Sequence, residues 1–155
     1  MLANIGRYQV WAGNVIRQPI DQLTEKEFSH DFDHQSVKSV TQHIVLALET
    51  CFFIADKSHD ESVFERALKA SKDQLLSRWS TLDKRLQQVL SKVPKGRITV
   101  PHISEKPFDT STADFYLQYV MHTTHHRGQL ATILRKLGQD VPGTDYLMFL
   151  ASRRD

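Results

Sequence analysis

The chain has 155 residues, of which 40% are hydrophobic and 25% are charged, and its formal net charge is +2. This length suits one domain with a sizeable core, over residues 1–155. Acidic and basic residues are interspersed, and the short pair Arg153-Arg154 is too small to form a basic patch. Because nucleic-acid readers usually carry clustered lysine and arginine, the composition argues against a nucleic-acid partner.

The single cysteine, Cys51, excludes an internal disulfide and favours a reducing compartment. Residues 1–7 lack the basic region followed by an apolar region that marks a signal peptide. No uninterrupted apolar run approaches the roughly 20 residues that span a bilayer. We therefore expect a cytoplasmic protein without a membrane partner.

Apolar residues recur at helical spacing near the start of the chain, which predicts a helix over residues 2–18 that Pro19 closes. Thr24 and Glu27 have the spacing of a capping box on a short turn. Residues 29–35 are predicted to form a loop. The first long helix is thus followed by a polar connection.

Ser36 can cap a second helix, whose wide apolar arc continues to about Asp56. A heptad-like apolar stripe predicts a third helix over residues 62–93 that is suited to bundle packing. Pro94 and Gly96 end this helix.

Residues 97–109 carry β-branched residues between prolines, which predicts an extended segment or a minor edge hairpin. Ser111 begins a fourth helix that runs to Leu137, with Gly138 as its C-terminal stop. A last turn is expected after Asp145. Four long helices and little strand predict an all-α four-helix bundle, with the minor hairpin between helices three and four.

Two histidines four residues apart, His122 and His126, occupy positions in the fourth helix that apolar side chains would normally fill. Both imidazoles are therefore expected to point inward. Their Cβ atoms would lie about 5–6 Å apart, so two ring nitrogens could converge on one divalent cation. Two core histidines that each bond a carbonyl are the alternative. The apolar stripe that the pair completes consists of Phe115, Tyr119, Leu130, Ile133 and Leu137.

A third histidine, His43, lies on the apolar arc of the second helix. Three histidines on two packed helices would leave one coordination position for water or a substrate atom. This arrangement is typical of catalytic zinc, whereas structural zinc sites are closed by four protein ligands.

Other polar residues near these histidines allow more than one interpretation. His125 lies about 100° around the helix from His126, so we interpret it as a flanking group that supports a ligand. Arg127 and Gln129 could anchor a substrate or pair across a dimer interface. A solvated or salt-bridged side chain is an equally good interpretation of Arg127.

The sequence predicts a role in helix packing for two residues, Gly128 and Cys51. Gly128 inside a helix is less favourable than Ala by about 1 kcal/mol, so we expect another helix to approach it closely. Cys51 lies about 80° around its helix from His43, so it is predicted to be a buried core thiol.

Three other kinds of metal site are rejected. His30 and His34 are also four residues apart, but they lie in a stretch without a helical apolar stripe and are predicted to be solvated loop residues. Glu27-x-x-His30 is a single motif, whereas a di-iron carboxylate bundle needs two such motifs and two further glutamates. The His-Glu-x-x-His pattern of a zincin is absent from the sequence.

Four stretches of the chain form a recognisable set of motifs: Tyr8-x-x-Trp11-x-x-Asn14, Ser39-Val40-x-x-His43-Ile44, His122-x-x-x-His126-Arg127-Gly128-Gln129 and the ending Leu137-Gly138, Pro142 and Asp145-Tyr146. With these motifs the chain resembles the DinB/YfiT-like family over nearly its whole length. The resemblance implies a bundle that is a mirror variant of the up-and-down arrangement. It also implies that His43, His122 and His126 bind a divalent metal, and that the protein is a homodimer. Zinc, nickel, iron and manganese all accept imidazole ligands, so the metal stays open.

Some members of the family are thiol-dependent transferases or isomerases that use bacillithiol, mycothiol or glutathione. The resemblance therefore favours a metal-dependent enzyme of S-transfer or thiol-assisted isomerisation, with metal-dependent hydrolysis second. The alternatives are a dimeric metal-binding stress protein without turnover and a purely structural bundle. No general base can be named from the sequence, and residues 97–109 and 29–35 are the expected walls of the approach to the metal.

Overall fold

A computed structural model describes residues 1–92, 94–101 and 106–153. Over these residues the chain forms seven α-helices and one antiparallel two-stranded hairpin, which confirms the all-α prediction. Four of the helices are long. In chain order the elements are α1 (Leu2–Asp21), α2 (Glu25–Phe28), α3 (Val37–Ala55), α4 (Ser62–Lys69), α5 (Lys72–Ser91), β1 (Arg97–Val100), β2 (Phe108–Ser111), α6 (Thr112–Lys136) and α7 (Tyr146–Ala151).

The four long helices pack in a ring in which α1 and α3 each contact both α5 and α6. Helices α3 and α5 run in the same direction, because Glu49 pairs with Arg78 and Asp56 pairs with Arg85. The short α4 packs on α3. It lies in the connection that carries the chain from the end of α3 back to the start of α5.

The core lies between the four long helices, where Ile16, Leu48, Trp79 and Leu130 are fully buried. Each large apolar side chain buried in this way stabilises the fold by about 1.5–3 kcal/mol. The final helix, α7, follows Asp145 as predicted and adds the buried side chain of Phe149.

Local capping signals predicted several helix ends correctly. Thr24 and Glu27 form the capping box of α2. The side chain of Ser36 caps α3 and that of Ser111 caps α6. Gly138 follows the end of α6 with a φ of 80°, a left-handed conformation that glycine adopts without steric penalty.

The prediction that Pro19 ends the first helix is wrong. Helix α1 continues through Pro19 to Asp21. In the last turn the missing N–H of proline removes a single helical hydrogen bond. The next residue, Ile20, is fully buried, and its burial favours keeping the helical turn.

The prediction of one helix over residues 62–93 is also wrong, because the chain breaks into α4 and α5. Ala70 has an extended backbone with a ψ of 143°. The Ser71 side chain accepts a hydrogen bond from the Gln74 N–H, and the Gln74 side chain accepts one from the Ser71 N–H. The apolar stripe crosses this break, while the Ser71-x-x-Gln74 capping box marks it. Residue 93 lies outside the described residues.

The minor hairpin between the third and fourth long helices is confirmed. Strands β1 and β2 pair with Arg97 opposite Ser111 and Val100 opposite Phe108. Residues 102–105 of the predicted extended segment lie outside the described residues.

Helix α3 is the one helix in the described part of the chain that could cross a membrane by length and composition, with 19 residues and a mean hydropathy of 1.3. No uninterrupted apolar run marks this helix in the sequence, because His43 and Glu49 interrupt the apolar stretch. Half of its apolar window, 50%, is buried within the protein. Its packing on α5 and α6 is that of a core helix, which can pass the same test.

Candidate metal centre

His43 of α3 meets His122 and His126 of α6 on the seam between the two helices. The Nε2 atom of His43 lies 3.1 Å from Nε2 of His122. The Nε2 atom of His126 lies 3.2 Å from the same His122 atom. Three residues that the sequence singled out, one of them 79 positions from the next, are therefore brought together.

The spacing of the three rings suits a tetrahedral cation. Bonds of about 2.0–2.1 Å from zinc to imidazole would place two ligand nitrogens about 3.3 Å apart. The observed separations of 3.1 and 3.2 Å are close to this value. In the described part of the chain the group contains histidines alone. Its residues could therefore hold a divalent metal ion and leave a fourth ligand position free of protein.

The packing of α3 on α6 places the rings opposite one another. Phe52 and Tyr116 contact each other at one end of the seam, with ring centroids 6.2 Å apart. Because residue 52 of α3 lies opposite residue 116 of α6, and residue 43 lies opposite residues 122 and 126, the two helices are antiparallel. Spacing of four residues then puts His122 and His126 on adjacent turns that face His43.

The expectation that the imidazoles point into the core is wrong. His43 is exposed and His122 and His126 are half-buried, while Tyr119 and Thr123 of the same helix are buried. The histidines thus lie at the edge of the buried face of α6. An apolar arc wider than about 100° does not distinguish its edge from its centre. The histidine group therefore opens to solvent.

Gln129 orients the ring of His126. Its Oε1 lies 2.6 Å from Nδ1 of His126 and can only accept, so the N–H of that ring is on Nδ1. The Nε2 atom is then unprotonated and faces the other two histidines. An acceptor on the far nitrogen fixes the tautomer of a metal-binding histidine and raises its basicity. The sequence suggested a substrate or dimer contact for Gln129, although its spacing of three residues from His126 was the available signal.

His125 lies beside the group and is exposed. Its Nε2 is 3.3 Å from Nε2 of Gln129, and its ring centroid is 5.0 Å from that of His126. One Gln129 side chain therefore contacts both His125 and a candidate ligand. This is the flanking position that the helical angle predicted.

Burial lowers the pKa of both α6 histidines in the group. For His122, the neighbouring rings of His126, His43 and His125 lower the pKa further. For His126, the hydrogen bond to Gln129 opposes the effect of burial. Both rings are therefore neutral at neutral pH, which is the state that binds a cation.

His30, His34 and Cys51 do not join the group. His30 and His34 are exposed loop residues, as predicted. Cys51 is fully buried, which confirms the predicted core thiol, and burial raises the pKa of that thiol. A protonated buried thiol is a poor nucleophile and a poor metal ligand.

Two predictions for α6 are corrected. Arg127 is 1% exposed, so it is neither a solvated side chain nor one available to a substrate. Its guanidinium donates to Gln9 Oε1 at 3.0 Å and to Thr124 Oγ1 at 2.7 Å. At Gly128, no described atom beyond its chain neighbours and the backbone of its own helix lies within 4 Å of the point where a Cβ would stand, so the predicted close approach of another helix is wrong.

Two cavities lie away from the histidines. One of about 700 Å³ is formed by α3, α4 and α5, beside Val45 and Arg78. The other, of about 430 Å³, is an apolar groove between α1, α6 and α7, beside Tyr8 and Met121. Neither cavity is lined by a histidine of the group.

The described parts of the two segments expected to wall the site meet α6 at two points near its ends. Phe32 lies under the Lys136 ammonium at 5.6 Å, in the last turn of α6. Strand β2 joins α6 at Ser111. Each of these points is at least ten residues from the nearest histidine of the group, or about 15 Å along the helix. The contacts therefore do not place these segments at the histidines.

The fold and the histidine geometry define an all-α bundle protein with a solvent-facing group of three imidazoles that could hold a divalent cation. The chain belongs to the DinB family, whose family profile matches residues 1–155. This match confirms the resemblance seen in the sequence. No curated relative matches the chain closely enough to be informative.

Proposed function

We propose that the protein is a metal-dependent enzyme in which His43, His122 and His126 bind one divalent cation and a low-molecular-weight thiol is the co-substrate. The exposure of the histidine group carries this proposal. Structural zinc sites are closed by four protein ligands, whereas among the described residues this group offers three candidate ligands and faces solvent. A small molecule can therefore reach a cation held by the three ring nitrogens.

The chemistry follows from the ligand set. A divalent cation held there would lower the pKa of a thiol or water that reaches it and supply a nucleophile near neutral pH. Because imidazole coordinates a metal in its neutral form, three histidine ligands would leave the charge of the cation uncompensated and favour an anionic partner such as a thiolate. In S-transfer the sulfur forms a bond to an electrophilic carbon, the leaving group departs with its electron pair, and the thiol proton passes to solvent.

A second candidate is a dimeric metal-binding protein of a stress response, without turnover. One observation favours it, since neither cavity includes the histidines and a substrate would have little enclosure. Metal-dependent hydrolysis would use the same three ligands without a thiol. The homodimer and the cytoplasmic location stay predictions.

The test compares metal-loaded wild type with two variants. Protein loaded with zinc, nickel, iron or manganese is mixed with bacillithiol, mycothiol or glutathione and a panel of electrophiles, and conjugates are measured by mass spectrometry. We expect acceleration by wild type and by the control His30→Ala, and none by folded His122→Ala. Hydrolysis of the same panel without thiol would favour the hydrolase. No acceleration with any metal and thiol, together with stoichiometric metal binding, would favour the protein without turnover.

A further inference from the structure

A buried polar network joins α1 and α5 to α6 behind the histidines. The Oε1 atom of Gln9 accepts from Thr123 Oγ1 and from Arg127 Nη1, both at 3.0 Å. The Nε2 atom of Gln9 donates to Oδ1 of Asp83 at 2.8 Å. The other carboxylate oxygen of Asp83 accepts from Nη1 of Arg17 at 2.6 Å. All five side chains are buried.

Gly13 provides the space for this network. A Cβ at Gly13 would lie 2.2 Å from Oδ2 of Asp83 and 2.8 Å from Nη1 of Arg17. Both atoms belong to the buried ion pair, so a side chain at this position would displace it. A mid-helix glycine is unfavourable by about 0.5–1 kcal/mol relative to Ala, and here the ion pair requires it.

The network contacts α6 through the residues that directly follow the two histidines. Thr123 follows His122 and Arg127 follows His126. Adjacent residues on a helix point about 100° apart. Holding Thr123 and Arg127 towards Gln9 on α1 therefore turns His122 and His126 towards α3, and a rotation of α6 would break both sets of contacts.

The network specifies orientation more than it adds stability. The desolvation of a buried ion pair offsets much of its attraction, so an apolar replacement of the same volume is often equally stable. Its bonds are directional, however. The Gln9 amide satisfies Asp83 with its N–H and Arg127 with its oxygen in one orientation, and reversing the amide loses both bonds.

We infer that Gln9 and Asp83 are positioning residues for the metal centre, which set the rotation of α6 that brings His122 and His126 to His43. This inference rests on the proposed metal binding. It extends the site to two residues on α1 and α5 that contact none of the three histidines in the described hydrogen bonds.

An exchange of the two side chains tests the inference. Gln9→Glu alone sets two carboxylates against each other, and Asp83→Asn alone removes the charge that pairs with Arg17. In the double variant the new carboxylate accepts from Thr123 and Arg127, and the new amide donates to that carboxylate and accepts from Arg17. The net charge and every hydrogen bond are then restored.

The measurements are cobalt(II) affinity and the cobalt d–d absorption spectrum, at a temperature where circular dichroism shows each metal-free protein to be folded. Each single variant should bind cobalt about 10–100-fold more weakly with an altered spectrum, and the double variant should recover both. The control is Leu90→Ala, a fully buried α5 residue outside the network. It should lower the Tm while the affinity and spectrum stay those of wild type.

Three results would overturn the inference: wild-type affinity in the folded single variants, no recovery in the double variant, or an equal loss of affinity in Leu90→Ala. If a single variant does not fold, Thr123→Val decides, because it removes only one hydroxyl. Weaker cobalt binding by Thr123→Val would support the inference and unchanged binding would overturn it. If the wild-type protein binds no cobalt, the proposed function itself is overturned. If the wild type binds cobalt and the network variants bind it with the same affinity, only the inference about Gln9 and Asp83 is overturned.

Discussion

At the scale of single residues, the three histidines of the group differ in position. Nε2 of His122 lies within hydrogen-bond distance of Nε2 of both His43 and His126. His122 is therefore central to any shared ligand. His125 is bonded to Gln129 and is outside the group, so it is the natural control for a change in α6 that leaves the ligands intact.

Replacing His43, His122 or His126 by Ala should abolish tight zinc binding. It should also remove the stabilisation that zinc gives the native state, which is about 2.7 kcal/mol at a free concentration of 100 times Kd. Equilibrium dialysis and thermal melts with and without zinc measure both effects. His125→Ala should retain most of both, and equal metal loss in all four variants would refute the assignment of roles.

Gln129 should tune the affinity without being a ligand. Gln129→Leu removes the acceptor for Nδ1 of His126 and should weaken zinc binding about 10–100-fold. Gln129→Glu keeps an acceptor and should bind at least as tightly as wild type. Competition with a chromophoric chelator measures the affinities. Unchanged affinity in Gln129→Leu would show that the hydrogen bond does not orient the ring.

At the scale of helices, capping residues predicted where helices begin, whereas Pro19 did not end its helix and an unbroken apolar stripe concealed the break before α5. Ser36 and Ser111 begin helices because capping depends on neighbours within three residues. The break at Ser71 was missed because the apolar stripe crosses it. The buried network was missed because Gln9 and Asp83 lie 74 positions apart and leave no local pattern.

For the histidine group too, the sequence pattern predicted part of the arrangement and not the rest. The spacing within α6 and the apolar position of His43 predicted which rings would meet. The sequence did not predict that they meet at the edge of the seam, since solvent exposure there depends on how closely α3 packs on α6. That exposure separates a site open to small molecules from a buried structural one.

Two glycines in long helices should respond in opposite directions to the same substitution. Gly128→Ala should raise the free energy of unfolding by about 0.5–1 kcal/mol, because the position is open and alanine is the better helix former. Gly13→Ala should lower it, because the added Cβ would clash with the ion pair of Asp83 and Arg17. Urea denaturation of the metal-free proteins measures both. A destabilising Gly128→Ala would show that a neighbour packs there after all.

At the scale of the whole molecule, stability and metal binding should depend on pH together. Burial lowers the pKa of His122 and His126 in the folded state. The unfolded chain, with an ordinary histidine pKa of about 6.5, then binds more protons as the pH falls. This contribution to stability is fully present above about pH 6.5 and is lost as the pH falls through the lowered folded-state pKa.

Calorimetry of the metal-free protein should show this loss as the pH falls below about 6.5, and the double variant His122→Ala/His126→Ala should show a flatter profile there. Zinc should leave the wild type below about pH 6, with uptake of protons, because protonated rings do not coordinate. Zinc still bound at about pH 4 would indicate carboxylate or thiolate ligands instead of the three imidazoles.

The central claim is that His43, His122 and His126 together bind one divalent cation. Protein purified without a metal-affinity tag is dialysed against excess zinc, then against metal-free buffer, and its zinc content is measured by elemental analysis. Wild type should retain about one equivalent of zinc per chain, and the triple alanine variant should retain almost none. Less than about a tenth of an equivalent in wild type, or equal zinc in both proteins, would contradict the account.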